Sequence, residues 1–387
     1  MVKVLKLNEI SPVANKVFPK EYEVAKDIQK PEGIMLRSFN MHEYPLNEEL
    51  LAIARAGAGT NNIPLDKCSA KGIVVFNTPG ANANAVKELV ISALLLSSRH
   101  IVPAIEWAKT LKGKGDEVGK LVEKGKNSFV GPEIYGKKLG VIGLGAIGAV
   151  VANAAISLGM DVLGYDPYIS VDNAWTISRG VKRIIDLTEL LKECDYITIH
   201  VPLTSNNKYL FNEETFNVMK KGSVLINCSR GELVNNEDVI AAIKSGKLAR
   251  YLTDFPSDEL LDIENIICVP HLGASTPEAE DNCAYMAAQE LVDYIDNGNI
   301  THSVNFPDCH ANKSGNVRIT LLHLNQKEML SKITSKLSSL SLNIANLINK
   351  SQGEYAYTIV DLDSDVNSSL ISELMIIDGV IKVRIIR

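Results

Sequence analysis

Between an apolar stretch opening at Lys138 and an alanine-rich helical pattern, the chain reads Leu139-Gly140-Val141-Ile142-Gly143-Leu144-Gly145-Ala146-Ile147-Gly148. Glycines spaced G-x-G-x-x-G permit a tight turn, let an anion approach the backbone closely, and allow helix and strand to pack tightly, while the helix N-terminus stabilises negative charge. A glycine turn alone is common. Here the next apolar stretch, Val162-Leu163-Gly164-Tyr165, ends at Asp166, eighteen residues past Gly148, where a carboxylate accepts hydrogen bonds from a ribose diol and repels a 2′-phosphate. Strand, loop, helix and acid in that order predict a βαβ unit that binds NAD in preference to NADP.

The same alternation continues. Strand-like runs recur at Asp161–Tyr165, Tyr196–Val201, Ser223–Asn227, Tyr251–Asp254 and Ile266–Val269 with helical patterns between them, which predicts a doubly wound parallel sheet. An earlier series (Gly33–Leu36, Leu51–Arg55, Val74–Phe76) predicts a second α/β lobe. At 387 residues two or three domains are expected: a first lobe over 1–95 completed by 277–305, a second over 96–276, a polar linker over 306–316, and a tail over 317–387. The tail reads strand, helix, strand, strand, helix, strand, the split βαβ order of a ferredoxin-like α+β unit. From Ala85 to Thr110 a helical pattern runs on, broken only at Pro103, and the polar Lys112–Asn127 stretch is expected as loop or exposed surface.

Composition excludes several classes. A formal charge of −6 offers no footprint for nucleic acid or anionic membrane, and no window supplies the ~20 apolar residues of a membrane span. The N-terminus lacks a signal peptide's apolar run, so a cytoplasmic protein is expected. Cys68, Cys194, Cys228, Cys268, Cys283 and Cys309 are scattered, with no CxxC pair and no metal-ligand grouping, and read as reduced structural thiols; no metal is expected.

Chemistry concentrates at predicted strand ends. Ser223–Asn227 leads into Cys228-Ser229-Arg230-Gly231, where a guanidinium suits bidentate capture of a carboxylate. Ile266–Val269 leads through Pro270 to His271, whose neutral imidazole can accept a hydroxyl proton, with Glu259 as the candidate carboxylate partner and Asp258 as the alternative. Asp166, Arg230, Asp254 and His271 all fall at carboxyl ends, the edge where such sheets bind ligands. The remaining histidines, His42, His100, His200, His302 and His310, read as structural or surface residues, with His200 at a strand end near the cofactor cleft. In the first lobe, Arg55-Ala56-Gly57 and Asn77-Thr78-Pro79-Gly80 are glycine-bearing loops able to present N–H groups, and in Arg55 a cation, to an anion.

In these motifs, together with Pro270-His271-Leu272-Gly273-Ala274-Ser275-Thr276, the chain resembles the D-isomer-specific 2-hydroxyacid dehydrogenases over nearly its whole length. The resemblance implies two Rossmann-like doubly wound lobes, a flavodoxin-like substrate-binding lobe and an NAD-binding lobe. It also implies hydride transfer to NAD from a small 2-hydroxy acid. By it, Arg230, Glu259 and His271 are catalytic. NAD is contacted by Gly143, Gly145, Ala146, Ile147, Gly148, Asp166, Pro202, Cys228, Ser229, Arg230, Asp254, His271, Gly273 and Ala274, and substrate by Arg55, Ala56, Gly57, Asn77 and Gly80. Within the family the Arg55 loop and the tail are most similar to members that act on 3-phospho-D-glycerate. The substrate is then expected between lobes hinged near Lys87–Ala93 and Pro277–Ala287, in a homodimer or homotetramer. The tail resembles an ACT domain, with His323, Asn325 and Asn343 where an L-serine effector would bind, although Asn325-Gln326-Lys327-Glu328 departs from the usual Asn-x-Pro-Gly turn. The alternatives are an enzyme for an unphosphorylated hydroxy acid such as glycerate or lactate, and a non-catalytic NAD-binding regulator.

Overall fold

Short β-branched runs buried on both faces become central parallel strands, because only a sheet covered on each side hides such a run completely. In the computed structural model, which describes residues 1–387, the first five strands are β1 (Val2–Leu7), β2 (Tyr22–Ala25), β3 (Gly33–Leu36), β4 (Ala52–Arg55) and β5 (Val74–Phe76). They pair in parallel in the order β2-β1-β3-β4-β5, the flavodoxin-like order. The helix Pro277–Asn297 returns to this sheet, burying Ala287, Ala288, Leu291 and Tyr294 in its core. Gly33 leaves room for Leu291, whose Cδ2 would stand 2.9 Å from an added Cβ.

The second sheet holds β6 (Lys138–Ile142), β7 (Asp161–Tyr165), β8 (Lys182–Arg183), β9 (Tyr196–Ile199), β10 (Ser223–Asn227), β11 (Leu248–Thr253) and β12 (Ile266–Cys268). Their order, β12-β11-β10-β9-β6-β7-β8, places β6 beside both β7 and β9. The winding reverses there, at the switch point where open α/β sheets bind ligands.

The chain divides into two units, Met1–Ala81 with Glu280–Arg387, and Asn82–Ala279. The first boundary therefore falls at Ala81/Asn82 and not at residue 95. The helix Ala83–Ser98 packs Val86, Val90, Ala93 and Leu94 into the core of the second sheet, so Lys87–Ala93 is a helix interior and not a hinge. The helical pattern breaks at His100, in the left-handed conformation (φ 46°). Pro103 instead lies in the first turn of the next helix, Ile101–Lys109, where its missing N–H is not needed. The two helices bend by 69°, and no single helix is long and apolar enough to cross a membrane. The polar stretch after them holds a short helix, Val118–Gly125, that buries no side chain.

The tail forms β13 (Val317–Leu324), β14 (Ile344–Gln352), β15 (Tyr355–Leu362) and β16 (Val380–Ile386), antiparallel in the order β14-β15-β13-β16. Alternation sorts its side chains. Ile319, Leu321 and Val360 face the helices Met329–Ser339 and Ser369–Met375, while Leu322, Tyr357 and Ile359 join the core of the first sheet with Tyr294 and Phe306. Tyr357 donates to the Gly298 carbonyl at 2.6 Å, Arg384 to that of Tyr294 at 3.0 Å, and Lys382 to that of Leu50 at 2.7 Å. The expected linker, 306–316, is pinned: Phe306, Cys309 and Ala311 are buried and Cys309 bridges Ile300. Its polar composition concealed three apolar side chains that seal this contact.

Candidate active site

The glycine turn after β6 has the shape its spacing requires. Gly143 adopts φ 87°, and a Cβ there would lie 2.5 Å from the carbonyl oxygen of His200; a Cβ on Gly148 would lie 1.8 Å from that of Gly143. Any side chain at either position breaks the turn. Around Gly145 a Cβ meets nothing within 4 Å, so this side of the loop is an open cradle. The helix Ala146–Ser157 starts at Gly145 with no side-chain cap, leaving its first N–H groups directed outward for an anion. Ala146 and Ile147 stand in that first turn.

Asp166 is held to the same loop. Its carboxylate accepts from the backbone N–H of Leu144 and of Tyr168, each at 2.8 Å. The acid at the end of β7 is thus fixed beside the glycine turn, with lone pairs left for a diol.

Across the switch point β10 delivers Cys228, Ser229 and Arg230. Ser229 donates from Oγ to the Val201 carbonyl at 2.6 Å, and Asn227 donates from Nδ2 to the Arg230 carbonyl at 2.8 Å, which sets the bend. Cys228 is buried, and burial pushes its thiol pKa up. Arg230 is exposed and extended (φ −148°), donating from Nη1 to the Ser229 carbonyl; no carboxylate pairs with it. Pro202, after β9, is exposed and its carbonyl accepts from Asn207. The His200 imidazole bonds Thr198, and burial lowers its pKa to about 3; it stays neutral.

Asp254, at the end of β11, is 1% exposed. Its Oδ2 accepts the Gly273 N–H at 3.2 Å, while Oδ1 has no partner. Burial raises its pKa, against the opposing pull of Gly273 N–H, His271 and Arg230. The Asp254 carbonyl also accepts the His271 N–H at 2.9 Å, which places the histidine. His271 has φ 48°, a conformation costing a non-glycine residue about 1–3 kcal/mol and concentrated at functional sites. Gly273 and Ala274 follow in the same turn.

The expected acid–base pair is not formed. Glu259 Oε2 accepts from Asn236 Nδ2 at 2.9 Å and from Ser257 Oγ at 3.4 Å, and the His271 ring packs against Phe255, centroids 4.8 Å apart. Two local donors hold the Glu259 carboxylate and an aromatic ring occupies the imidazole's flank. Asp258 is exposed in the same 3-10 turn, Asp258–Leu260. Phe255 and Asn236 went unnoticed in the sequence. Phe255 carried one signal, its place directly after Asp254; Asn236 carried none, because its role comes from the helix Asn236–Lys244 lying beside that turn.

In the other unit, β4 and β5 bring the two anion-suited loops together. Thr78 N–H donates to the Gly57 carbonyl at 3.2 Å and Asn77 Nδ2 to that of Ala58 at 2.6 Å. Arg55 Nε donates to the Arg37 carbonyl at 3.1 Å, and the guanidinium folds over Gly57, where a Cβ would meet Nη1 at 2.6 Å. Ala56 is buried beneath and Gly80 turns the second loop at φ 80°.

The three expected effector residues do not converge within one chain. His323 is buried, with Nδ1 on the Leu324 carbonyl and Nε2 on Thr358 Oγ1, both at 2.8 Å. Asn325 holds the Gly353 carbonyl beside the β14–β15 hairpin. Asn343 pairs with Asp363 at the opposite end of the sheet, since Leu324 pairs with Tyr355 and Ile344 with Leu362.

An uncapped glycine turn at the switch point, an acid clamped to it, and polar groups at the carboxyl ends of β10, β11 and β12 define a dinucleotide-binding α/β oxidoreductase. The family model for the NAD-binding domain of D-isomer specific 2-hydroxyacid dehydrogenases matches residues 91–273. A D-3-phosphoglycerate dehydrogenase of Haemophilus influenzae is 34% identical over 350 residues, covering 87% of this chain and 82% of that protein. One of Methanocaldococcus jannaschii is 36% identical over 321 residues, covering 81% of this chain and 58% of the relative, so the chain spans little over half of that longer protein. The NAD⁺-bound 3-phosphoglycerate dehydrogenase structure of Entamoeba histolytica superposes with a TM-score of 0.60 at 26% identity, over 79% of this chain and 98% of that one. The chain belongs to the D-isomer specific 2-hydroxyacid dehydrogenase family, and NAD is its cofactor.

Proposed function

We propose that the chain oxidises 3-phospho-D-glycerate to 3-phosphohydroxypyruvate, the reaction that opens the phosphorylated route to L-serine. The observation that carries this reading is the gathering of Asp166, Arg230, Asp254 and His271 at one sheet edge. The named relatives, all acting as D-3-phosphoglycerate dehydrogenases, support the choice of substrate.

The residues fit NAD. The open cradle at Gly145 takes the pyrophosphate, the clamped Asp166 takes the ribose diol, and the unpartnered Asp254 Oδ1 supplies a buried acceptor for the nicotinamide end. Bound NAD supplies the acceptor for the hydride that leaves C2 of the hydroxy acid. Arg230, with no carboxylate of its own, holds the substrate carboxylate bidentately, and Arg55 with the Gly57 and Asn77 loops holds the phosphate. His271 removes the hydroxyl proton at its imidazole nitrogen as the C–H bond breaks, and the C2–O bond becomes a carbonyl. Glu259 turns from Asn236 to the imidazolium when substrate is bound.

The six unpaired cysteines support a reducing, cytoplasmic setting, and the exposed apolar side chains Ile101, Val102 and Ile105 support a homo-oligomer. An L-serine site at His323, Asn325 and Asn343 requires a second tail, because one tail holds these residues apart. The deciding experiment measures NADH formation by purified protein with NAD and 3-phospho-D-glycerate, D-glycerate or D-lactate. Phosphoglycerate-selective turnover supports the assignment. Preference for an unphosphorylated acid moves the protein to another substrate, and NAD binding without turnover makes it a regulator.

A further inference from the structure

At the amino edge of the second sheet, opposite the edge that carries Asp254 and His271, lies a cavity of about 370 Å³ lined by Ser97, His100, Lys137, Asp195, Tyr196 and Arg250 among others. Arg250 stands on β11, four residues before Asp254, which directly follows that strand, and is 6% exposed. Its Nη1 donates to the Leu96 and Ser97 carbonyls at 3.3 and 3.0 Å, capping the helix Ala83–Ser98. A guanidinium has five N–H groups; the Nε and Nη2 groups make no hydrogen bond in the structure, and no carboxylate pairs with this arginine.

The surroundings do not supply the missing charge. Asp195 is the one carboxylate on the wall, and it is spent on Lys220 Nζ at 2.7 Å and the Lys138 N–H at 2.9 Å. The Tyr196 hydroxyl is paired with Ser98 Oγ at 2.6 Å, and Ser98 in turn with the Pro132 carbonyl. Ser97 Oγ is buried, 5% exposed as a residue, and has no partner; Ser223, between the lining residues Gly222 and Val224, likewise holds an unpartnered buried hydroxyl. Lys137 adds a second cation, and burial together with Arg250 keeps the His100 imidazole toward its neutral form. The remaining N–H groups of Arg250 open onto this cavity with no counter-charge beside them, and a planar donor fork matches an oxyanion.

We propose that this cavity is a second anion site, which binds the phosphate or carboxylate group of a small metabolite between Arg250, Lys137 and Ser97. The site lies at the sheet edge opposite the NAD cradle, and does not depend on the substrate assigned above. Through β11 it is tied to Asp254, about 13 Å along the strand at 3.3 Å per residue.

Crystals of the NAD-loaded protein soaked in selenate locate the site directly: an anomalous selenium peak within hydrogen-bond reach of Arg250 is expected. In solution, inorganic phosphate should raise the melting temperature of the NAD-saturated protein. Arg250→Gln should raise the phosphate concentration at half-effect by roughly tenfold, and Lys137→Gln by roughly threefold, both with NAD affinity unchanged. Because Arg250 also caps a helix, Lys137→Gln and the soak decide the matter if Arg250→Gln does not fold. Absence of the selenium peak overturns the proposal, as does a phosphate midpoint that Arg250→Gln, or in its absence Lys137→Gln, leaves unmoved.

Discussion

The imidazole of His271 lies against the phenyl ring of Phe255, with centroids 4.8 Å apart at 54°, and this contact orients the imidazole, which the proposed function makes the base. His271→Ala is expected to lower kcat by about 10²–10⁴-fold while NADH binding, followed by fluorescence, persists. Phe255→Ala should lower kcat by roughly tenfold through loss of orientation alone. A Phe255→Ala enzyme with unchanged kcat would remove Phe255 from the account.

Asp166 clamps the glycine turn, and in the proposed function it also takes the ribose diol. Asp166→Ala should raise the KM for NAD and reduce the preference for NAD over NADP by about tenfold or more, since a diol acceptor and a repulsive charge are lost together. The measurement is kcat/KM with each cofactor; an unchanged ratio rules out the discriminating role.

Arg318 and Asp361 form a buried bidentate pair, Nε to Oδ1 at 2.7 Å and Nη2 to Oδ2 at 3.0 Å, with side chains 1% and 0% exposed. Arg318 also donates to the Asn297 and Ala311 carbonyls at 2.9 Å, fastening the tail to the segment that precedes it. Arg318→Met leaves a buried carboxylate alone and should cost about 3–5 kcal/mol in urea unfolding of the unit that contains the tail. A loss no larger than that of a surface substitution contradicts the structure.

The same pair sets an acid limit. Burial pushes the Asp361 carboxyl up, but the Arg318 hydrogen bond and the Ser314 N–H outweigh it, and its pKa ends below the usual value. A depressed carboxylate contributes stability that is present above its unfolded pKa, ~3.9, and is lost as pH falls below it through the folded value. The wild type should therefore lose stability below about pH 4, and Asp361→Asn should flatten that part of the profile.

Glu290 behaves in the opposite sense. It is buried on the helix Pro277–Asn297, with Oε1 on His302 Nδ1 at 2.8 Å and Oε2 unpartnered; burial first, and Asp308 second, raise its pKa to about 9. A raised carboxyl contributes stability that is present below its unfolded pKa, about 4.3, and is lost as pH rises toward the folded value. Glu290→Gln keeps the acceptor for His302 and removes the titration, so it should melt higher than the wild type near pH 9 and similarly near pH 5. Equal melting shifts at both pH values would show that Glu290 ionises normally.

Much of this protein was legible in one dimension because it rests on local rules. The G-x-G-x-x-G spacing sets a turn in which Gly143 and Gly148 leave no room for a Cβ, and Asp166 lands beside it because a βαβ unit of that length can end nowhere else. The doubly wound sheet and the tail's βαββαβ succession followed from periodicity. What tertiary structure alone decided concerns partners distant in sequence. Glu259 goes to Asn236 because a helix begins beside its turn, and Arg250, an unremarked residue inside a strand, becomes a buried cation facing a cavity. The polar-looking segment at 306–316 becomes a seam because Phe306 and Cys309 meet a core laid down by Pro277–Asn297. Sequence determines which backbone turns and faces are available; which side chains then share a buried space depends on close packing between segments that no local pattern encodes.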